Sequence, residues 1–171
     1  MPVVYTIGYE GATIEEFVIT LVAARIETLV DVRELPLSRK KGFSKNALAA
    51  VANKVGLSYV HMPELGNPRV GRDAARSGKV RQFRQIYLSH FKTKQAQKAF
   101  EALVSLGNKN TLCMMCFERD PRTCHRDMIA DGMKARGFAV TNLFANDPSR
   151  HERSIDKLPS CYPGESPAAA E

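Results

Sequence analysis

The chain has 171 residues, 44% of them hydrophobic, and a formal net charge of +7. That length and apolar content suit one domain that buries its own core, which excludes both a disulfide-framed miniprotein and a low-complexity chain. No run approaches the roughly eighteen uninterrupted apolar residues of a membrane span, and the opening Met1-Pro2-Val3 lacks the pattern of an export leader, so a cytoplasmic protein with no membrane partner is expected. Four cysteines in such a chain point to free thiols, a metal site or redox chemistry. The basic balance suits a phosphate-bearing partner, either a small molecule or a nucleic acid, and is equally compatible with plain solubility.

In chain order, residues 3–7 read as a buried strand and Gly8-Tyr9-Glu10-Gly11 as a tight turn. Thr13 followed three residues later by Glu16 is a capping-box signature, and the helix it opens runs to about Arg25. Residues 27–32 form a second strand, followed by a basic loop through Arg33, Pro36, Arg39, Lys40 and Lys41. Ser44 is placed to cap a helix that stops at Gly56. Residues 58–62 are a third strand, and residues 63–78 a polar loop punctuated by glycine and proline. Two helices follow, over 79–91 and 93–106. Residues 110–115 make a fourth strand, residues 122–136 a helix ending at Gly137, and residues 139–144 a fifth strand.

This alternation predicts an α/β fold of three layers, a mainly parallel sheet of about five strands with helices on both faces, over residues 1–145. Residues 146–171, dense in Pro, Ser and Gly, are expected to form an irregular, partly mobile tail. In a parallel sheet the loops after Ile7, Val32, Met62, Cys116 and Phe144 share one edge, the edge where α/β proteins bind ligands.

The chemistry concentrates between Cys113 and Gly137. Cys124 is the first nucleophile candidate, because a thiol at a helix start feels the positive end of the dipole and has His125 and Arg126 beside it. Its bland reading is a small apolar residue facing the sheet, in register with Met128. Cys116, followed by Arg122-Thr123 at Cys-x5-Arg-Thr spacing, is a second thiol candidate, and His125 with Asp31 would handle protons. Arg33, Arg39 and Arg126 are candidates to hold an anion through bidentate guanidinium contacts, with internal pairing of Arg33 to Asp31 as the alternative. Gly8 offers a close backbone approach to a phosphate and Tyr9 a ring to stack on a base or other ring, and His61 completes the set of binding candidates.

Cys113, Cys116, Cys124 and His125 also invite a zinc reading. Period-two alternation sets Cys113 and Cys116 on opposite faces of a strand, and adjacent residues inside a helix diverge by about 100°, so no metal and no cofactor is assigned. Arg69, Arg72, Arg76, Lys79, Arg81 and Arg84 interleave with Phe83 and Tyr87, a mixture that suits single-stranded nucleic acid if the aromatics face outward and an ordinary amphipathic helix if they face the core.

Four segments occur together: Thr6-Ile7-Gly8-Tyr9-Glu10-Gly11, Asp31-Val32-Arg33 with Pro36 and Ser38-Arg39, His61-Met62-Pro63-Glu64-Leu65-Gly66, and Cys116-x-Glu118 leading to Cys124-His125-Arg126. In this order they resemble the domain of unknown function 488 family over roughly residues 3–144. The resemblance implies a small cytosolic α/β domain and no settled reaction. A looser similarity of position runs to rhodanese-like Cys-loop proteins, but the loop here carries Glu118 and Asp120, which repel an anion, and Pro121, which has no amide hydrogen. Three functions fit the residues. One is an enzyme, a Cys-dependent hydrolase or transferase acting on a phosphate-bearing substrate. The others are a non-catalytic nucleic-acid binder and an interaction module in which the cluster is structural.

Overall fold

A computed structural model describes residues 1–145. The tail expected over residues 146–171 lies outside the described residues. Five strands, β1 (Val3–Gly8), β2 (Thr28–Asp31), β3 (Ser58–His61), β4 (Leu112–Cys116) and β5 (Ala139–Phe144), form one sheet in the order β3-β2-β4-β1-β5. Every pairing is parallel.

Six helices join them: α1 (Ile14–Ala23), α2 (Lys45–Lys54), α3 (Arg69–Arg76), α4 (Val80–Phe91), α5 (Lys94–Gly107) and α6 (His125–Ala135). The chain steps toward one edge of the sheet from β1 to β2 to β3, then reverses from β3 to β4 to β5. With right-handed crossovers, that reversal sends α1 and α2 to one face and the remaining helices to the other. The core divides accordingly. Phe17, Leu21, Leu48 and Ala52 pack with Ile7, Leu29, Cys113 and Met115 on the first face, while Phe83, Tyr87, Phe100, Met128 and Met133 pack with Val4, Val30, Met114 and Cys116 on the second.

Local sequence explains the elements. Thr13 accepts from Glu16 N and Glu16 returns the bond to Thr13 N, the reciprocal cap that starts α1. Ser44 stands at the N-cap of α2 without capping it, since its hydroxyl donates to Ser38 O and accepts from Ser38 N. The loop expected over residues 63–78 instead contains a short 3-10 turn, Pro63–Leu65, and α3. Only Val70, Ala74 and Ala75 are apolar non-glycine residues in α3, too few for a periodic signal, and Gly71 would weaken a free helix. Here Gly71 makes room for the Asn67 side chain, whose amide end would have to shift if a Cβ were added.

Among the described residues, no helix is long and apolar enough to cross a membrane. Phe83 and Tyr87 are buried, so the aromatics of the basic stretch face the core and leave no stacking platform on α4. Of its arginines, Arg72 pairs with Glu34, Arg76 with Asp73 and Arg84 with Asp127.

Candidate functional site

The connections from β2 and β4 leave the sheet in opposite directions, so the crevice between the carboxyl ends of these neighbouring strands is the topological switch point. Cys116 ends β4 there. The backbone leaves β4 through residues 117–120, turns through a 3-10 turn at Pro121–Thr123, and enters α6 at His125. Asp120 accepts from Arg122 N and so caps the turn.

Cys124 is the N-cap of α6, in extended conformation at φ −122° and ψ 148°, and its sulfur accepts from Arg126 N at 3.5 Å. This corrects the expectation that Cys124 and His125 diverge by a helical step. The angle of about 100° applies between residues inside a helix, whereas an extended cap followed by the first helical residue turns both side chains to one point. Cys116 Sγ and Cys124 Sγ each lie 3.7 Å from His125 Nδ1. His125 Nε2 lies 2.8 Å from Val32 O, at the end of β2. A carbonyl oxygen only accepts, so Nε2 carries a hydrogen.

The cluster is buried, with Cys124 and Arg126 each 1% exposed. Arg126 Nε reaches Thr6 Oγ1 at 3.3 Å, Nη2 reaches Arg119 O at 3.0 Å and Nη1 reaches Glu118 O. These acceptors are all neutral. A buried guanidinium so placed favours the anionic form of a nearby acid, and the Cys124 thiol is such a neighbour.

Burial alone would push the Cys124 thiol up. The hydrogen bond from Cys116, the charges on His125 and Arg126 and the hydrogen bond from His125 outweigh it and hold Cys124 well below the ordinary thiol range. His125 responds in kind: burial lowers it, but the Cys124 charge and hydrogen bond, the Val32 carbonyl and Glu118 raise it overall. Cys116 goes up, first through its hydrogen bond to Cys124, then through burial and the Cys124 and Glu118 charges. Glu118 Oε2 stands 3.1 Å from Cys116 Sγ and therefore competes with Cys124 for its proton. Burial and the Cys124 charge push Glu118 up to about 7.

Asp31 and Arg33 form a separate group. Leu29 belongs to the first core face, and Asp31 follows it at period two, so the Asp31 carboxylate projects away from the cysteines. Arg33 Nε and Nη2 bind the two Asp31 oxygens at 2.8 and 2.7 Å, Arg33 Nη1 reaches Tyr9 OH at 3.2 Å, and Tyr59 OH donates to Asp31. Tyr9, expected to stack on a ligand ring, stacks on Phe43 at 4.3 Å between centroids. The open side of Gly8 is filled by the Glu118 backbone. His61 Nε2 contacts Arg33 O at 2.8 Å, and Arg39 is exposed on the loop after β2.

The structure thus brings Cys116, Cys124, His125 and Arg126 together on the α6 face. It does not bring Arg33 and Asp31 into that group, and the single pocket expected to collect Arg33 and Arg126 does not form, because Arg33, just past β2, turns to Asp31 and Tyr9 while Arg126, on α6, turns to Thr6 and the Glu118 and Arg119 carbonyls. Cys113 faces the first core, away from Cys116.

Three members were missed in the sequence. Glu118 stands out in the sequence through the Cys116-x-Glu118 segment and as an anion-repelling loop residue but not as a partner of the thiol, although two positions past a strand-end cysteine its carboxylate can turn back to it. Thr6 sits at period two from Val4 on the cysteine face and gave no separate signal. Tyr87, whose ring lies 5.2 Å from that of His125, covers the cluster from α4 and donates to Leu65 O at 2.7 Å.

Fold and site together define a doubly wound parallel α/β protein with a buried Cys-His-Arg cluster at its switch point. Residues 13–133 match the family described as Domain of unknown function DUF488, and the chain belongs to that family. No curated protein and no solved structure matches the chain.

Proposed function

We propose that the chain is an enzyme in which the Cys124 sulfur attacks a phosphate-bearing substrate entering the β2–β4 crevice, in the manner of a Cys-dependent hydrolase or transferase. The observation that carries this reading is convergence: Arg126 N–H, His125 Nδ1 and the Cys116 thiol all bear on one sulfur at a helix N-cap. Such an environment favours thiolate, the form that reacts. In the attack an Sγ–P bond would form as the bond from phosphorus to the leaving oxygen breaks, and His125 would give that oxygen a proton.

Arg33 and Arg126 are engaged internally, so the phosphate would be met by the exposed Arg39 and its neighbours Lys40 and Lys41 on the loop after β2. The net charge of +7 favours the same class of partner. Because Cys124 is buried, the 117–123 segment must swing aside to admit substrate. Free thiols of this kind persist in a reducing compartment such as the cytoplasm.

Iodoacetamide labelling of the metal-free chain, read by mass spectrometry, tests the proposal. Cys124 should label ahead of Cys113 and Cys116 at neutral pH, and inorganic phosphate should slow it. Labelling of Cys124 no faster than Cys113 would overturn the thiolate mechanism, and an unchanged rate with phosphate would overturn the substrate class.

A further inference from the structure

Cys116 Sγ, Cys124 Sγ and His125 Nδ1 lie within 4.8 Å of one another, all in buried residues. The geometry points to a resident metal site at this triad, built for a tetrahedral, sulfur-accepting divalent ion of the zinc class. Zinc holds thiolate sulfur at about 2.3 Å and imidazole nitrogen at about 2.05 Å, so the sulfur-to-nitrogen edge of a tetrahedral site is about 3.6 Å. Both such edges here measure 3.7 Å.

The symmetry of those two distances matters. A neutral imidazole has one lone pair on Nδ1, and a thiol proton satisfies it from one side only. Two sulfurs at the same distance from that lone pair suit a cation between the three atoms better than a proton on one of them. The imidazole is also oriented as a ligand, since Nε2–H is anchored on Val32 O and directs Nδ1 toward the sulfurs, where an incoming cation would displace any proton it carries. The Arg126 amide on Cys124 Sγ supplies the outer hydrogen bond that holds the thiolate. Two thiolates cancel the charge of a divalent ion, so filling the site adds no net charge to a buried place.

Cys113 takes no part, because β4 alternation turns it to the opposite core. The fourth position falls to water or to Glu118, which borders the site through Cys116. An ion held here caps Cys124, so the thiol chemistry belongs to the metal-free chain. That capping role rests on the thiolate reading, whereas the site itself needs only the three side chains.

Cobalt(II) titration of the chelator-stripped, full-length chain tests the site. One equivalent should produce a sulfur-to-cobalt charge-transfer band in the near ultraviolet with the visible bands of a tetrahedral ion, and zinc should abolish both. Cys116→Ser and Cys124→Ser should each lose the spectrum, while Cys113→Ser keeps it. Should the ligand variants fail to fold, cobalt or zinc on the native chain should protect Cys116 and Cys124, but not Cys113, from alkylation in denaturant-pulse labelling. Absence of a charge-transfer band, or its survival in folded Cys124→Ser, or protection that ignores these two cysteines, would overturn the site. Rapid labelling of Cys124 in stripped protein without a cobalt spectrum would leave the thiol mechanism standing and remove the metal; the converse pair of results would do the opposite.

Discussion

His125 gives its Nε2 hydrogen to the carbonyl oxygen of Val32 across 2.8 Å, a bond that ties the first residue of α6 to the end of β2. One ring therefore does two jobs: Nε2 closes the crevice between β2 and β4, and Nδ1 faces both sulfurs.

The two jobs separate by substitution. Glutamine extends an amide to the place of Nε2, while asparagine stops near Nδ1. His125→Gln should keep the Val32 bond, stay within about 1 kcal/mol of the parent in thermal or denaturant melts, and slow Cys124 alkylation. His125→Asn leaves a buried carbonyl without its donor, a loss of about 1–3 kcal/mol. Equal stability of the two variants would show that the Val32 bond contributes nothing to the fold.

Arg126 is the largest fully buried side chain of the described residues, and it joins β1 through Thr6 to the segment after β4 through the Glu118 and Arg119 carbonyls. Arg126→Met keeps much of the volume and orphans those oxygens. The expected cost is about 3 kcal/mol or more, which in a chain of this size lowers Tm by roughly 10 °C. Arg126→Met should also slow Cys124 alkylation, because one of the two positive charges that hold the thiol down, the other being His125, is gone. A melt shift within about 2 °C would contradict the role assigned to this guanidinium.

Gly8 ends β1 where the 117–123 segment crosses it, and a Cβ there collides with the Glu118 carbonyl and the Arg119 amide nitrogen. Since the obstacle is backbone, Gly8→Ala must push the segment away, at about 1–3 kcal/mol or more. Gly56 supplies the contrast. Its φ of +82° strains any other residue, but nothing stands within 4 Å of its Cβ position. Gly56→Ala should cost about 1–2 kcal/mol from backbone conformation alone and leave Cys124 alkylation unchanged, whereas Gly8→Ala should alter it. Identical labelling rates in the two variants would refute the coupling between Gly8 and the cysteine segment.

Legibility in the sequence followed the range of the interaction. The strands and their order in the chain show as short apolar runs, and the Thr13–Glu16 cap needs only spacing to be recognised. The opposite placement of Cys113 and Cys116 follows from period two. What failed was longer in range or finer in angle. Asp31, two residues from Arg33, already offers that cation an internal partner on a line of text, whereas Arg126 is closed by carbonyls that only the folded loop brings near. Cys124 falls one residue outside α6 rather than inside it, and that single position decides whether its sulfur and the His125 ring meet. A boundary of that kind moves by a residue or two in any pattern-based reading.

Asp120 and Arg122 shape the turn that delivers Cys124, and they give a pH signature apart from the cluster. Arg122 Nη2 lies 2.6 Å from Asp120 Oδ2, and the Asp120 side chain also accepts from Arg122 N. The hydrogen bond from the Arg122 side chain, against a smaller opposing effect of burial, holds the Asp120 carboxyl below the usual aspartate value. A carboxyl depressed in the folded state contributes stability above its unfolded value, near about 3.9, and loses it as pH falls through the folded value. The pair is largely solvent-exposed, so the contribution is small, about 0.2–1 kcal/mol. Asp120→Asn keeps a capping oxygen and removes the charge. Urea melts at pH 7 should place the variant below the parent by that amount, and the gap should close as pH falls below the unfolded aspartate value. A gap that stays constant down to pH values where both chains are protonated would assign the effect to the cap geometry rather than to the ion pair.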